Sequence, residues 1–194
     1  MFAKLKNEFV IEQYKVHDLN ISFGIGEGDA FKGIRYNTVT SPIALKLYEV
    51  IPTEFRHMFG ISLMTINTTI PPHTDSGIKC TINFYIKTQD CVTQFYKFKD
   101  NNPGRIQIAN QTDGYIFKPE DVTATESFVA QPNEAWILDV SKPHGVTPMH
   151  DLASERIAIS LATRTFSYEQ VYDMLVGTGQ INRSVAESGL LQQS

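Results

Sequence analysis

The sequence predicts a mainly β protein, antiparallel and either closed or double-sheeted in the manner of a jelly roll, with a few flanking helices. Three observations lead to this class. Beyond Gly60, eight short runs are rich in β-branched and aromatic residues and alternate in polarity: 61–70, 80–88, 91–99, 106–108, 115–117, 127–131, 135–140 and 156–166. Turn-forming clusters separate them, namely Pro71-Pro72, Asp100-Asn101-Asn102-Pro103-Gly104, Asp113-Gly114, Gln131-Pro132-Asn133 and Lys142-Pro143. No helical period interleaves the runs, so the crossovers that a parallel sheet requires are missing.

Taken in order, residues 1–40 mix short β-rich pieces with Gly24, Gly26, Gly28 and Gly33 and hold no sustained period, which predicts irregular strands and loops. The spacing Gly24-Ile25-Gly26-Glu27-Gly28 resembles a dinucleotide loop, but no apolar strand enters it and no amphipathic helix leaves it. Ser41-Pro42 then opens a helix, with a capping serine and proline at its first position, that Pro52 ends or kinks before another turn over 53–58. The strands follow. A short helix is expected over 167–175, and the last dozen residues read as a fraying terminus. The whole chain, 1–194, is expected to form one domain, with 60–166 as the jelly-roll core and 1–59 as supporting strands and helix.

The chain has 194 residues, with 42% hydrophobic, 20% charged and 11% aromatic side chains, so it can bury a core without staples. Acidic residues number 21 against 17 scattered basic ones, which excludes the electrostatic footprint of a nucleic-acid binder. Cys80 and Cys91 are too few for a disulfide framework and form no CxxC pair. Charges at Lys4, Lys6 and Glu8 stand where a signal peptide needs its apolar run, and no apolar run is long enough to span a bilayer. A soluble, cytoplasmic protein with no membrane partner is expected, and the sequence leaves its oligomeric state open.

Two histidines keep unusual company, in Pro72-His73-Thr74-Asp75 and in Lys142-Pro143-His144-Gly145. Side chains two apart on a strand share a face, so His73 and Asp75 point together, and His144 from a distant strand can complete a facial set of three ligands. Two imidazoles and one carboxylate suit ferrous iron, leaving positions open for a co-substrate and O₂. The alternative is that each is a surface turn residue. In Glu155-Arg156-Ile157-Ala158-Ile159-Ser160-Leu161-Ala162 one face is aliphatic, and the other sets Arg156 and Ser160 among alanines. An inward guanidinium beside small residues suits a carboxylate, held in two-pronged fashion. Its alternative is a rim salt bridge to Glu155 or Asp151. Trp136, flanked by Ala135 and Ile137, reads as core. His17, His57 and His150 read as structural or solvent residues, with His150 within reach of the pocket mouth.

Several of these segments together resemble a known family. Ser62-Leu63-Met64, Thr68, Pro72-His73-Thr74 and Cys80, followed by Glu134-Ala135-Trp136-Ile137-Leu138-Asp139-Val140-Ser141-Lys142-Pro143-His144, are similar to the aspartyl/asparaginyl β-hydroxylases and their small bacterial relatives, which include proline cis-hydroxylases. The likeness runs over residues 60–166. It implies a double-stranded β-helix, a cupin-like distorted jelly roll, and dependence on iron(II), 2-oxoglutarate and O₂. On that pattern His73, Asp75 and His144 hold the iron, Arg156 anchors the distal carboxylate of 2-oxoglutarate, and Ser160 assists it. Ser62, Asn83 and Tyr85 match co-substrate contacts, although the family has arginine and histidine where Asn83 and Tyr85 stand. Asp75 departs from the animal β-hydroxylases, which have glycine there, and its presence points to hydroxylation rather than halogenation. The implied reaction is hydroxylation of an unactivated carbon in an amino acid or a peptide residue, with release of succinate and CO₂. The competing readings are a cupin-like metal-dependent isomerase and a noncatalytic jelly-roll binding module, and an inward Arg156 separates the oxygenase from the isomerase.

Overall fold

The computed structural model describes residues 1–9, 21–25, 34–39, 42–75, 77–88, 90–101, 103–107, 114–148 and 155–182. Its strands are β1 (Phe2–Lys4), β2 (Ile21–Ile25), β3 (Ile34–Val39), β4 (Phe59–Ile66), β5 (Ile70–Thr74), β6 (Cys80–Lys87), β7 (Cys91–Phe98), β8 (Arg105–Gln107), β9 (Tyr115–Phe117), β10 (Val122–Val129), β11 (Ala135–Leu138), β12 (His144–Pro148) and β13 (Arg156–Thr163). They form two antiparallel sheets, ordered β1-β11-β6-β13-β4-β3-β2 and β10-β7-β12-β5-β9-β8.

Period-two alternation decides what each face of the seven-stranded sheet meets. On β6 and β13 the odd-numbered aliphatics Ile157, Ile159 and Leu161 and the even-numbered Ile82 and Phe84 point outward. There they pack against the helical segment α1 (Pro42–Leu45), which continues as a 3₁₀ turn over Lys46–Val50, and against α2 (Tyr168–Gly177). Each fully buried aliphatic side chain in that layer contributes roughly 1.5–3 kcal/mol. Ser167 caps α2 by accepting from the Gln170 amide while the Gln170 side chain accepts from the Ser167 amide, a reciprocal box at the predicted helix start. The opposite face presents Tyr85, Ala158, Met64 and Leu138 to Phe95, Val146 and Phe128 of the six-stranded sheet. Trp136 belongs to this second layer, stacked on Phe128 with ring centroids 4.2 Å apart. It is half-buried and packs against that core.

The structure departs from the sequence reading in four places. The run 61–70 is two strands, because the chain leaves one sheet after Ile66 and enters the other at Ile70. Pro71-Pro72 lies inside β5 instead of forming a turn, since the register slips between the pairs His144–His73 and Val146–Ile70 and a bulge needs no amide donor there. β12 falls outside the eight runs altogether, being short and polar, and β10 begins at Val122 because its exposed Thr123-to-Ser127 stretch carries no apolar alternation. Of the glycine-rich stretch, Gly24 lies in β2, and 26–28 are outside the described residues, as are His17, His150 and the last dozen residues.

Candidate functional site

The bulge in β5 builds the centre of the site. It turns His73 to face His144 directly across the β5–β12 ladder, with ring centroids 4.3 Å apart. The close approach depends on Gly145, where a Cβ would lie 2.7 Å from the Ile70 carbonyl oxygen and 3.3 Å from the Pro71 carbonyl. Each ring is oriented by its own strand: His73 Nδ1 donates to the Pro71 carbonyl and His144 Nδ1 to the Lys142 carbonyl, both at 2.9 Å. Those contacts leave Nε2 of each ring as the atom free of its own strand, with His73 Nε2 on the side of Asp75. The Asp75 amide donates to the Val140 carbonyl at 3.0 Å, and Asp75 Oδ1 stands 3.4 Å from His73 Nε2.

One ligand atom from each of His73, Asp75 and His144 lies within 4.8 Å of the other two. Burial, then the neighbouring His73, push His144 down to about 4, so it is neutral and available as a ligand at neutral pH. Burial alone would raise the Asp75 carboxyl, but the hydrogen bond with His73 and the electrostatic pull of the two adjacent imidazoles outweigh it and hold the group below its ordinary value. Burial and the Asp75 charge push the Tyr36 hydroxyl well up, keeping it protonated beside the carboxylate. Two imidazoles and an ionised carboxylate on one side of a small space are the donor set that suits a ferrous ion with positions left open.

Across the same space stands Arg156, 2% exposed. Its Nη2 donates to the Tyr85 hydroxyl at 2.7 Å and to Thr93 Oγ1 at 2.9 Å, and its carbon Cζ lies 4.7 Å above the Tyr85 ring. Nε and Nη1 have no partner, which leaves three of the guanidinium's five N–H bonds unengaged in a buried place. The alternative of a rim salt bridge to Glu155 is not formed, and Asp151 lies outside the described residues. The remaining buried orphans among the described residues are Thr81 Oγ1 and Asn83 Oδ1. Orphaned buried polar groups cost about 1–3 kcal/mol each unless something satisfies them, so these atoms are fitted to a polar ligand.

A single cavity of about 280 Å³ takes in His73, Asp75, His144, Arg156, Ser160, Ser62 and Asn83. Ser62, Ser160 and Asn83 fall in one row because they are register partners across β4, β13 and β6. Tyr85 stands apart from its predicted role. It is fully buried behind Arg156 and positions that guanidinium instead of lining the cavity. Sequence reasoning missed Thr93 and Tyr36. The alternation of Cys91, Thr93 and Phe95 on β7 marks Thr93 as inward, but only the packing of one sheet on the other brings it to Arg156.

The sequence matches no protein-family model and no curated protein. Solved structures do align. The epimerase SnoN, in complex with Fe3+, alpha ketoglutarate and nogalamycin RO, superposes with a TM-score of 0.52 and 11% identity over 83% of this chain and 77% of its own. A second structure of SnoN, described as a non-heme alpha ketoglutarate dependent epimerase from nogalamycin biosynthesis, gives 0.50 and 10% over the same shares. The fold is a cupin-like double-stranded β-helix. E. coli ycfD aligns with a TM-score of 0.42 and 10% identity over 72% of this chain, which spans 36% of ycfD's length. No helix among the described residues is long and apolar enough to cross a membrane.

Proposed function

We propose that this chain is an iron(II)- and 2-oxoglutarate-dependent oxygenase that hydroxylates an unactivated carbon of an amino acid or of a residue in a peptide, releasing succinate and CO₂. One observation carries the reading: a two-histidine, one-carboxylate triad shares one cavity with a buried guanidinium that has N–H bonds to spare. SnoN, of the same fold, is described with Fe3+ and alpha ketoglutarate bound, which supports the same pair of cofactors here. The resemblance of residues 60–166 to the aspartyl/asparaginyl β-hydroxylases supplies the substrate class.

His73, Asp75 and His144 hold the metal, and ferrous iron with 2-oxoglutarate and O₂ supplies the oxidising power when bound. The chain's own share is placement. Arg156 takes the distal carboxylate of the co-substrate, with Tyr85 and Thr93 holding Nη2 so that the guanidinium enters the cavity preoriented. Ser160, Ser62 and Asn83 line the path between that anchor and the metal, and their hydroxyls and amide offer hydrogen bonds to the bound acid. Met64, Ile66, Ile70, Leu138 and Val146 close the walls and exclude water from the reacting carbon.

A cupin-like isomerase would not need a buried arginine with unmet donors, and among the described residues no fourth histidine or glutamate joins the triad. The deciding experiment incubates the protein with ferrous iron, 2-oxoglutarate, O₂ and a panel of amino acids and short peptides. Succinate formation stimulated by one of them, with the product heavier by one oxygen atom, is the expected result. Succinate with an unchanged product mass would point to stereoinversion, and no succinate with any panel member would refute the reading.

A further inference from the structure

Two arginines bracket the cavity-facing row of β13. Residues 156, 158, 160 and 162 share that face with period two, Arg164 follows just past the strand's end at Thr163, and both arginines line the cavity. Their surroundings are opposite. Along the row Arg156 is 2% exposed, Ala158 0% and Ser160 5%, whereas Ala162 is half-buried and Arg164 exposed. Arg156 is therefore the floor of the cavity and Arg164 its mouth. Ala162 lies about 20 Å along the strand from Arg156, with Arg164 beyond it, so a five-carbon diacid anchored on the floor leaves the mouth to another molecule.

Two further features equip the mouth. Gly77 adopts φ +66°, and a Cβ there would sit 2.4 Å from Arg164 Nη1, so the guanidinium rests against bare backbone two residues past the metal ligand Asp75. Thr81, the register partner of Ala162, also lines the cavity, and its buried Oγ1 has no hydrogen-bond partner. A hydroxyl donor and a guanidinium lining one cavity are the groups that meet a carboxylate.

We infer that Arg164 and Thr81 form a second anion subsite at the cavity mouth, which seats a carboxylate of the substrate while Arg156 holds the co-substrate. The inference rests on the oxygenase reading and deepens it: the substrate carries a negative charge, either the α-carboxylate of a free amino acid or the side-chain carboxylate of an acidic residue in a peptide.

The test uses the full chain, anaerobic and loaded with ferrous iron and 2-oxoglutarate, and follows the metal-to-ligand absorbance band during titration. Probes are free amino acids against their C-terminal amides, and short peptides containing aspartate or glutamate against asparagine or glutamine. The expected result is that an acid perturbs the band and its neutral counterpart needs about tenfold more. Arg164→Gln should erase that difference, and Arg164→Lys should keep part of it, with 2-oxoglutarate affinity unchanged in both. Which pair of probes shows the difference tells the two carboxylate sources apart. Equal binding of acid and amide, a difference that survives Arg164→Gln, no response to any acid, or weakened 2-oxoglutarate binding in Arg164→Gln would each overturn the inference. Absence of the band itself would overturn the oxygenase reading together with it, whereas an intact band without preference for acids overturns the mouth subsite alone.

Discussion

The guanidinium of Arg156 stands 4.7 Å over the ring of Tyr85 and donates to the hydroxyl of that same residue at 2.7 Å. One side chain thus supplies both a π-face and an acceptor to a buried cation, and neither residue is open to solvent. This arrangement turns Tyr85 from a ligand contact into a support for one. Tyr85→Phe keeps the ring and removes the acceptor, leaving Nη2 to Thr93 alone. The loss in 2-oxoglutarate affinity should be about 1 kcal/mol, with ferrous affinity unchanged, as read by anaerobic absorbance titration.

Arg156 itself should supply affinity for 2-oxoglutarate and none for iron. Lysine keeps the charge but cannot satisfy Tyr85, Thr93 and a carboxylate together, and alanine loses everything. Binding should therefore weaken from parent to Arg156→Lys to Arg156→Ala, the last by roughly 2–4 kcal/mol, while ferrous binding without co-substrate stays the same. Unaltered 2-oxoglutarate binding in Arg156→Ala would remove the anchor from this residue.

The triad should behave as a unit. Asp75→Ala leaves two imidazoles, too few for a labile ferrous ion, so iron affinity and succinate formation should both collapse. Zinc, manganese and nickel should occupy the same three ligands in the parent as inert stand-ins, because affinity order and supply govern which ion is found. Elemental analysis of parent and variant after reconstitution checks both expectations.

Gly145 is a packing prediction with a functional readout. A methyl group there meets main-chain atoms of Ile70 and Pro71, which have no flexible end to move aside. Gly145→Ala should cost about 1–3 kcal/mol of stability and, by prising β12 from the β5 bulge, weaken metal binding by separating His144 from His73. Urea unfolding and metal titration of the same variant test the two effects separately.

Glu134 gives a pH prediction away from the metal. Burial alone would raise its carboxyl above the ordinary 4.5, but hydrogen bonds from Lys4, the Gln131 amide and Trp136 Nε1 outweigh burial and hold it lower. A carboxylate with a depressed folded value stabilises the fold above its unfolded value, and that contribution is lost as pH falls through the folded one. Glu134→Gln should lower stability by about 1 kcal/mol at neutral pH and flatten the stability curve below pH 4.5, as measured by denaturant unfolding across that range.

Read alone, the sequence determined the alternation of β6 and β13, and with it the separation of an aliphatic face from a face bearing Arg156, Ser160, Thr81 and Asn83, because side-chain direction along a strand follows from period two without reference to anything distant. It also determined the pairing of His73 with Asp75 and the candidacy of His144, since those residues carry their chemistry at any position. Only the tertiary structure decided that Ile61 to Ile70 divides between two sheets, that Pro71 and Pro72 form a bulge within a strand, and that Tyr85 and Thr93 converge on Arg156 from different sheets. The reason is the same in each case. Local propensity sets the direction in which a side chain points, but what it meets there depends on the register between strands far apart in the chain, and that register is chosen by the packing of the whole sandwich.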